Sequence, residues 1–103
     1  MAEVLEVAEG LKYQSADEQL AYSITTTNWV SNPSNPVVMA YNEQTHENVT
    51  STVFPTNSPS ITGDVITLSL LKSLTKGNLY RIEVKFAVGS NIYECFFRVK
   101  CVL

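Results

Sequence analysis

A chain of 103 residues with 45% hydrophobic and 17% charged content holds one globular domain of ordinary size, which excludes a multidomain enzyme and an intrinsically disordered chain. Val, Ile and Thr number 27 against six Ala, and ten Ser, ten Thr and eight Asn take the place of charge. β-Branched residues fit a pleated surface better than a helix, so the composition reads as mostly β. A formal charge of -3 provides no general field for nucleic acid or for an anionic membrane.

The first 18 residues hold five acids against Lys12. They lack the basic start of a secretory leader, and no apolar run in the chain approaches the roughly 20 residues of a membrane helix. A soluble, unprocessed, cytoplasmically made protein is therefore expected. Val4, Val7, Ala8 and Leu11 have helical spacing, but the stretch suits an extended arm or edge strand equally, and both readings stay open for residues 1–18. The domain proper is expected over 19–103.

Gln19 to Thr25 alternates, with Leu20, Tyr22 and Ile24 expected inward. Pro36 to Tyr41 carries Val37, Met39 and Tyr41 at period two. Asn42 to Asn48 reads as a polar hairpin loop, and Asn48 to Phe54 as a weaker strand of Thr, Ser and Val. After a Thr62-Gly63-Asp64 turn, Asp64 to Leu70 alternates with Ile66, Leu68 and Leu70 expected inward. The turn signals Asn32-Pro33, Ser34-Asn35-Pro36, Asn57-Ser58-Pro59 and Gly77-Asn78 separate these runs at the spacing of a small antiparallel sandwich.

The last quarter has the clearest pattern. Tyr80, Ile82, Val84, Phe86 and Val88 share one face of a strand over 79–88, and Tyr93, Cys95, Phe97, Val99 and Cys101 share one face of a strand over 91–102. Gly89-Ser90 between them suits a type II′ hairpin turn. With a two-residue turn, Phe86 opposes Tyr93, Val84 opposes Cys95 and Ile82 opposes Phe97, so every inward partner is apolar; a three-residue turn would set Ile82 against Arg98. Cys95 and Cys101 then lie about 20 Å apart along one strand, at roughly 3.3 Å per residue. A disulfide spans at most about 7 Å, so the two are expected to be reduced core residues.

Leu74-Thr75-Lys76-Gly77-Asn78-Leu79-Tyr80, followed by Ile82 and Val84, resembles the L-x-x-G-x-x-Y corner of fibronectin type III domains, with Lys76 where that family usually has proline. Trp29, Pro33 and Tyr41 are similar to that family's core Trp and Tyr. The resemblance implies that Trp29, Tyr41 and Tyr80 are structural core residues alongside Phe97. A second resemblance spans about 85 residues. Asp17-Glu18, Leu20, Tyr22, Trp29, Gly63 before Val65 to Leu70, Gly77 with Tyr80, and a closing hairpin with Tyr93, Glu94, Phe97 and Val99 resemble short immunoglobulin-like proteins encoded in phage and prophage structural gene clusters. The chain departs from them in its cysteines and in its middle strands, where residues 19–71 contain no Lys or Arg. This resemblance implies a small virion component of the neck or tail.

No residue constellation declares a chemistry. His46 is the single histidine, and a general-base or metal role beside Glu43 and Glu47 would need further ligands that the distant thiols do not provide. There is no G-x-S-x-G or Cys-His motif and no glycine-rich phosphate loop, so no enzyme activity and no metal or other cofactor is expected. Asn48-Val49-Thr50 matches a glycosylation acceptor, and with no secretory route expected the match is read as chance. Charge is uneven: residues 1–18 and 19–71 sum to minus four and minus three, and residues 72–103 to plus four. Parity places Phe96 on an outward face between Glu94 and Arg98, and an aromatic there calls for cover. Phe96, Arg98, Arg81 and Lys100 are accordingly the candidate interaction residues.

These readings lead to an all-β, immunoglobulin-like or fibronectin type III-like antiparallel sandwich of about seven strands. The expected function is non-catalytic: a structural or interaction protein acting through protein-protein contacts with other virion proteins or with itself, and with neither nucleic acid nor membrane. It would be cytoplasmic when synthesised and then assembled into a virion. The alternative is an accessory module that recognises a carbohydrate or peptide.

Overall fold

The computed structural model describes residues 4–6, 12–26 and 32–102, the first three by their backbone alone. In chain order the elements are β1 (Val4–Glu6), β2 (Lys12–Gln14), β3 (Leu20–Thr25), β4 (Ser34–Asn42), a short helix α1 (Thr50–Val53), β5 (Ser60–Thr62), β6 (Val65–Leu71), β7 (Leu79–Val88) and β8 (Asn91–Cys101). One sheet runs β1-β8-β7-β4, with β2 also on β8, and the other runs β3-β6-β5. β1 and β2 follow one another along the same edge of β8, both parallel to it, with Leu5 opposite Cys95 and Tyr13 opposite Lys100. They act as one interrupted edge strand, so the domain is a seven-position, all-β sandwich of the immunoglobulin-like or fibronectin type III-like kind. Of the two readings for residues 1–18, the described segments are strands; residues 7–11 lie outside the described residues, as does Trp29.

The β7–β8 hairpin dominates the core. Its register runs from Val88 opposite Asn91 to Leu79 opposite Lys100, and pairs Phe86 with Tyr93, Val84 with Cys95 and Ile82 with Phe97. Gly89 takes φ +60°, the conformation a type II′ turn requires at its first central position. Tyr80, Ile82, Val84, Phe86, Cys95, Phe97, Val99 and Cys101 are all buried, and β3 and β6 add Ile24, Ile66 and Leu68 from the facing sheet. Tyr22 tilts against Phe97 with ring centroids 5.2 Å apart, joining the two layers. At the entry to β7, the backbone N–H of Thr75 donates to the Tyr80 hydroxyl at 2.8 Å, closing the corner from Leu74 to Tyr80 with both of those side chains buried.

Cys95 and Cys101 lie on the inward side of β8 with no exposed surface. Burial, reinforced by the Glu94 carboxylate, pushes the Cys95 thiol up to about 12 from 9.0. A thiol that ionises far more readily unfolded than folded stabilises the native state fully below pH 9.0 and loses that contribution as pH rises towards about 12. Unfolding free energies from urea titrations across this alkaline range should fall with a component of about 1.4 kcal/mol per pH unit. The Cys95→Ala protein should lack that component, and native Cys95 should resist thiol labelling at neutral pH.

Three sequence expectations are corrected. In β4 the buried side chains are Val38, Ala40 and Asn42, while Val37 is 52% exposed and Met39 and Tyr41 are half-buried on the outer face. Tyr41 is therefore not a core residue. Apolar residues occupy both faces of this strand, so periodicity alone had no preferred side; pairing of Val38 with Val84, Ala40 with Ile82 and Asn42 with Tyr80 chooses it. In the other sheet Leu70 is 46% exposed and Leu71 is buried. Leu68 and Ser69 together span the single residue Tyr22 between the Ala21–Leu70 and Ser23–Thr67 pairs, a β-bulge that reverses parity from there on. Leu20, expected inward, is 37% exposed at the edge of the same sheet.

The third correction is α1, where a weak strand was expected. Asn48 Oδ1 accepts from the Thr50 N–H at 3.0 Å and the Thr50 hydroxyl at 2.7 Å, bending the chain at once, and Pro55 bars helix beyond Phe54. One turn results, which seats Val53 and Phe54 in the core.

This turn also caps the outer edge of β4. The Ala40 N–H donates to Thr50 Oγ1 at 2.8 Å, the Ala40 carbonyl accepts from the Val49 N–H at 2.9 Å, and the Val38 carbonyl accepts from Asn57 Nδ2 at 2.9 Å. The Asn42 N–H donates to the Glu47 carbonyl at 2.8 Å, and Pro36 has no N–H to offer. Across the sandwich, Gln14 is only 1% exposed. Its Nε2 donates to the carbonyls of Leu71 (2.7 Å) and Glu18 (3.0 Å), and its Oε1 accepts from the Tyr22 hydroxyl at 3.0 Å. β2 on one sheet is thereby tied to β3 and β6 on the other.

Candidate interaction surface

Strand alternation turns the side chains between the buried ones of β4, β7 and β8 out onto a single open face. Cross-strand register sets them in rows: Tyr41, Arg81 and Arg98; then Met39, Glu83 and Phe96; then Val37, Lys85 and Glu94. Lys100 lies one row beyond Arg98, opposite Leu79, and Tyr13 of β2 extends that row at 62% exposure. The charged strands thus bring Phe96, Arg81 and Arg98 together, with Lys100 at the margin.

Phe96 is half-buried, and arginine supplies cover. The Arg81 guanidinium lies 3.7 Å from the ring centroid and that of Arg98 lies 5.7 Å away. Arg81 Nε donates to Glu83 Oε2 at 2.9 Å, which helps to hold the guanidinium over the ring. Arg98 Nε is 3.5 Å from Glu43 Oε1, and Lys85 Nζ is 4.0 Å from Glu94 Oε2. Partly exposed pairs of this kind contribute about 0 to 1 kcal/mol each, so they orient side chains more than they hold the fold. Their arrangement also shows that the basic last third of the chain meets acids on its own face, where charge is locally balanced.

Two shallow concavities run along this face beside β4. One of about 360 Å³ is lined by Tyr41, Glu43, His46, Arg81 and Glu83. The other, about 280 Å³, is lined by Val37, Met39, Tyr41, Glu83, Lys85 and Glu94. Tyr41 and Glu83 border both, so the two adjoin. His46 is exposed at the turn after β4 with φ +63°, its N–H bonded to the Asn42 carbonyl at 2.7 Å, and Glu43 is directed at Arg98. Among the described residues no group of three or more His, Cys, Asp or Glu is placed to hold a metal ion. No helix among them is long and apolar enough to cross a membrane.

Sequence reasoning missed Tyr41, Met39, Val37 and Tyr13 as members of this surface. Their apolar character made them core candidates or left them in an arm of undecided structure, and only the pairing of β4 with β7 and of β2 with β8 sets them outward. Comparison of the chain with known protein families, with curated proteins and with solved structures finds no match. The fold and this face together define a small β-sandwich, a type of domain generally used for protein-protein contacts.

Proposed function

We propose that this chain is a non-catalytic interaction protein that docks on its partner through the outer face of β4, β7 and β8. The observation that carries this reading is Phe96 with two arginines against its ring, Met39 in the same row and Tyr41 and Val37 in the adjoining ones. Aromatic, Met and Arg side chains are the composition of interface centres, where one truncation can remove 2 kcal/mol or more of binding. The ion pairs leave the face nearly neutral, which suits a protein surface better than a polyanion. The layout resemblance to immunoglobulin-like proteins of phage structural clusters extends the proposal to a neck or tail component of a virion.

The test uses particles from the strain that encodes the chain. Mass spectrometry of virions purified after induction should find it in fixed proportion to the tail proteins. The Phe96→Asp variant places a carboxylate beside Arg81 and Arg98 but opposite Glu83, and it removes a half-buried ring, so its folding stability should fall by about 1 to 3 kcal/mol, which leaves the domain folded. It should nevertheless be lost from the particles. Particles without the chain would remove the virion assignment, and full incorporation of the variant would remove this face as the contact.

The carbohydrate or peptide module is the second reading, and the concavity beside Tyr41 is what favours it, since one aromatic ring with carboxylates and arginine can stack on and hydrogen-bond a sugar. Specific retention on immobilised glycans, abolished by Tyr41→Ala, would establish it instead.

A further inference from the structure

The two sheets treat their long free edges differently. The outer edge of β4 is closed by α1, Asn57 and the Asn42–Glu47 turn, and by a proline without an N–H. Among the described residues β3 pairs with β6 alone, which leaves its other side as the edge of the second sheet. Of the usual protections β3 has no charge and no proline over Leu20–Thr25, and the bulge in its pairing lies on the β6 side, opposite Tyr22.

The direction of the β3 backbone groups follows from one hydrogen bond. The Thr26 N–H donates to the Asp64 carbonyl at 2.8 Å, so alternation along an antiparallel pair points the groups of Ile24 and Thr26 towards β6. Those of Ala21, Ser23 and Thr25 therefore point to the open edge, and all three residues are exposed.

We propose that the chain forms a two-fold dimer in which β3 pairs antiparallel with β3 of a second copy, centred on Ser23. Placing the axis there sets Ser23 opposite Ser23 and Ala21 opposite Thr25, so residues with open-edge backbone groups meet each other and make about six hydrogen bonds. The same register sets Tyr22 opposite Ile24, inward residue against inward residue, as strand parity demands. An uncharged strand meets its own copy without like-charge repulsion, which a second copy of a charged edge could not do. The pairing also accounts for Leu20, which has inward parity but is 37% exposed because nothing continues the sheet beyond it.

Sedimentation velocity at high micromolar concentration tests this on the wild type and three variants. Wild type and Phe96→Asp should both sediment as dimers. Ser23→Lys puts two ammonium groups at the axis and should give monomers with an unchanged melting temperature. Paired residues of this kind have Cα atoms about 5.5 Å apart, within disulfide range, so Ser23→Cys should yield a covalent dimer under mild oxidation that reductant releases. A wild type that stays monomeric overturns the proposal and leaves the edge to a foreign strand. So does a dimer that survives Ser23→Lys or dissolves with Phe96→Asp. If Ser23→Lys fails to fold, the Ser23→Cys cross-link decides, and its absence is equally fatal.

Discussion

Replacing Tyr80 by alanine should lower the free energy of unfolding by about 3 to 5 kcal/mol, the range for deleting a large buried ring. Tyr80 is 3% exposed, beneath the turn through which the chain enters β7, and stands opposite Asn42 on β4 and Val99 on β8. Its removal opens a cavity at the junction of three strands and strips the Thr75 N–H of its acceptor. Tyr80→Phe keeps the ring and deletes only the acceptor. It should cost about 0.5 to 1.5 kcal/mol, the net worth of one hydrogen bond whose donor lies on an exposed residue that water can reach. Urea denaturation of the two variants separates packing from hydrogen bonding. Equal losses would mean that the hydroxyl bond carries all of the effect, and no loss in either would mean that the corner has no structural role.

Gln14→Leu should cost about 3 kcal/mol although it places an apolar residue of similar size at a buried site. The reason is what it leaves behind. The Leu71 carbonyl, the Glu18 carbonyl and the Tyr22 hydroxyl all lose their partner together, the first of them in a buried position. Removing one side of a satisfied polar network is more costly than never having built it. Because Gln14 is also where β2 is held, the loss should extend to the edge strand. Hydrogen exchange should show faster exchange at Val102, whose N–H donates to the Gln14 carbonyl at 3.2 Å, than at the amides of the β7–β8 hairpin. A melting temperature equal to wild type would show that water replaces all three bonds.

Gln14 was invisible in the sequence for a plain reason. Nothing in Lys12-Tyr13-Gln14-Ser15 distinguishes a glutamine that will be sealed between sheets from one that will face water, because its acceptors lie on Glu18 and, 57 residues away, on Leu71. Phe96 was legible, since alternation between Glu94 and Arg98 placed it outward without any knowledge of the rest of the fold. What covers it was not, because the outward parity of Arg81 becomes a stacking contact only when β7 is paired with β8 in its actual register.

The sequence by itself determined the all-β class and the β7–β8 hairpin down to its register. Both depend on interactions local in the chain: a period of two that is apolar on one side only, and a glycine where a two-residue turn needs positive φ. Tertiary structure decided most of the rest. Apolar residues on both sides of β4 let the partner strand choose the buried face, and a bulge opposite Tyr22 exchanged Leu70 for Leu71; only α1 has a local cause, the Asn48 turn and Pro55, which a reading by β-propensity alone passed over. In β4 and β6 the local preferences were nearly balanced, so the small energies of pairing with distant strands were enough to set the outcome.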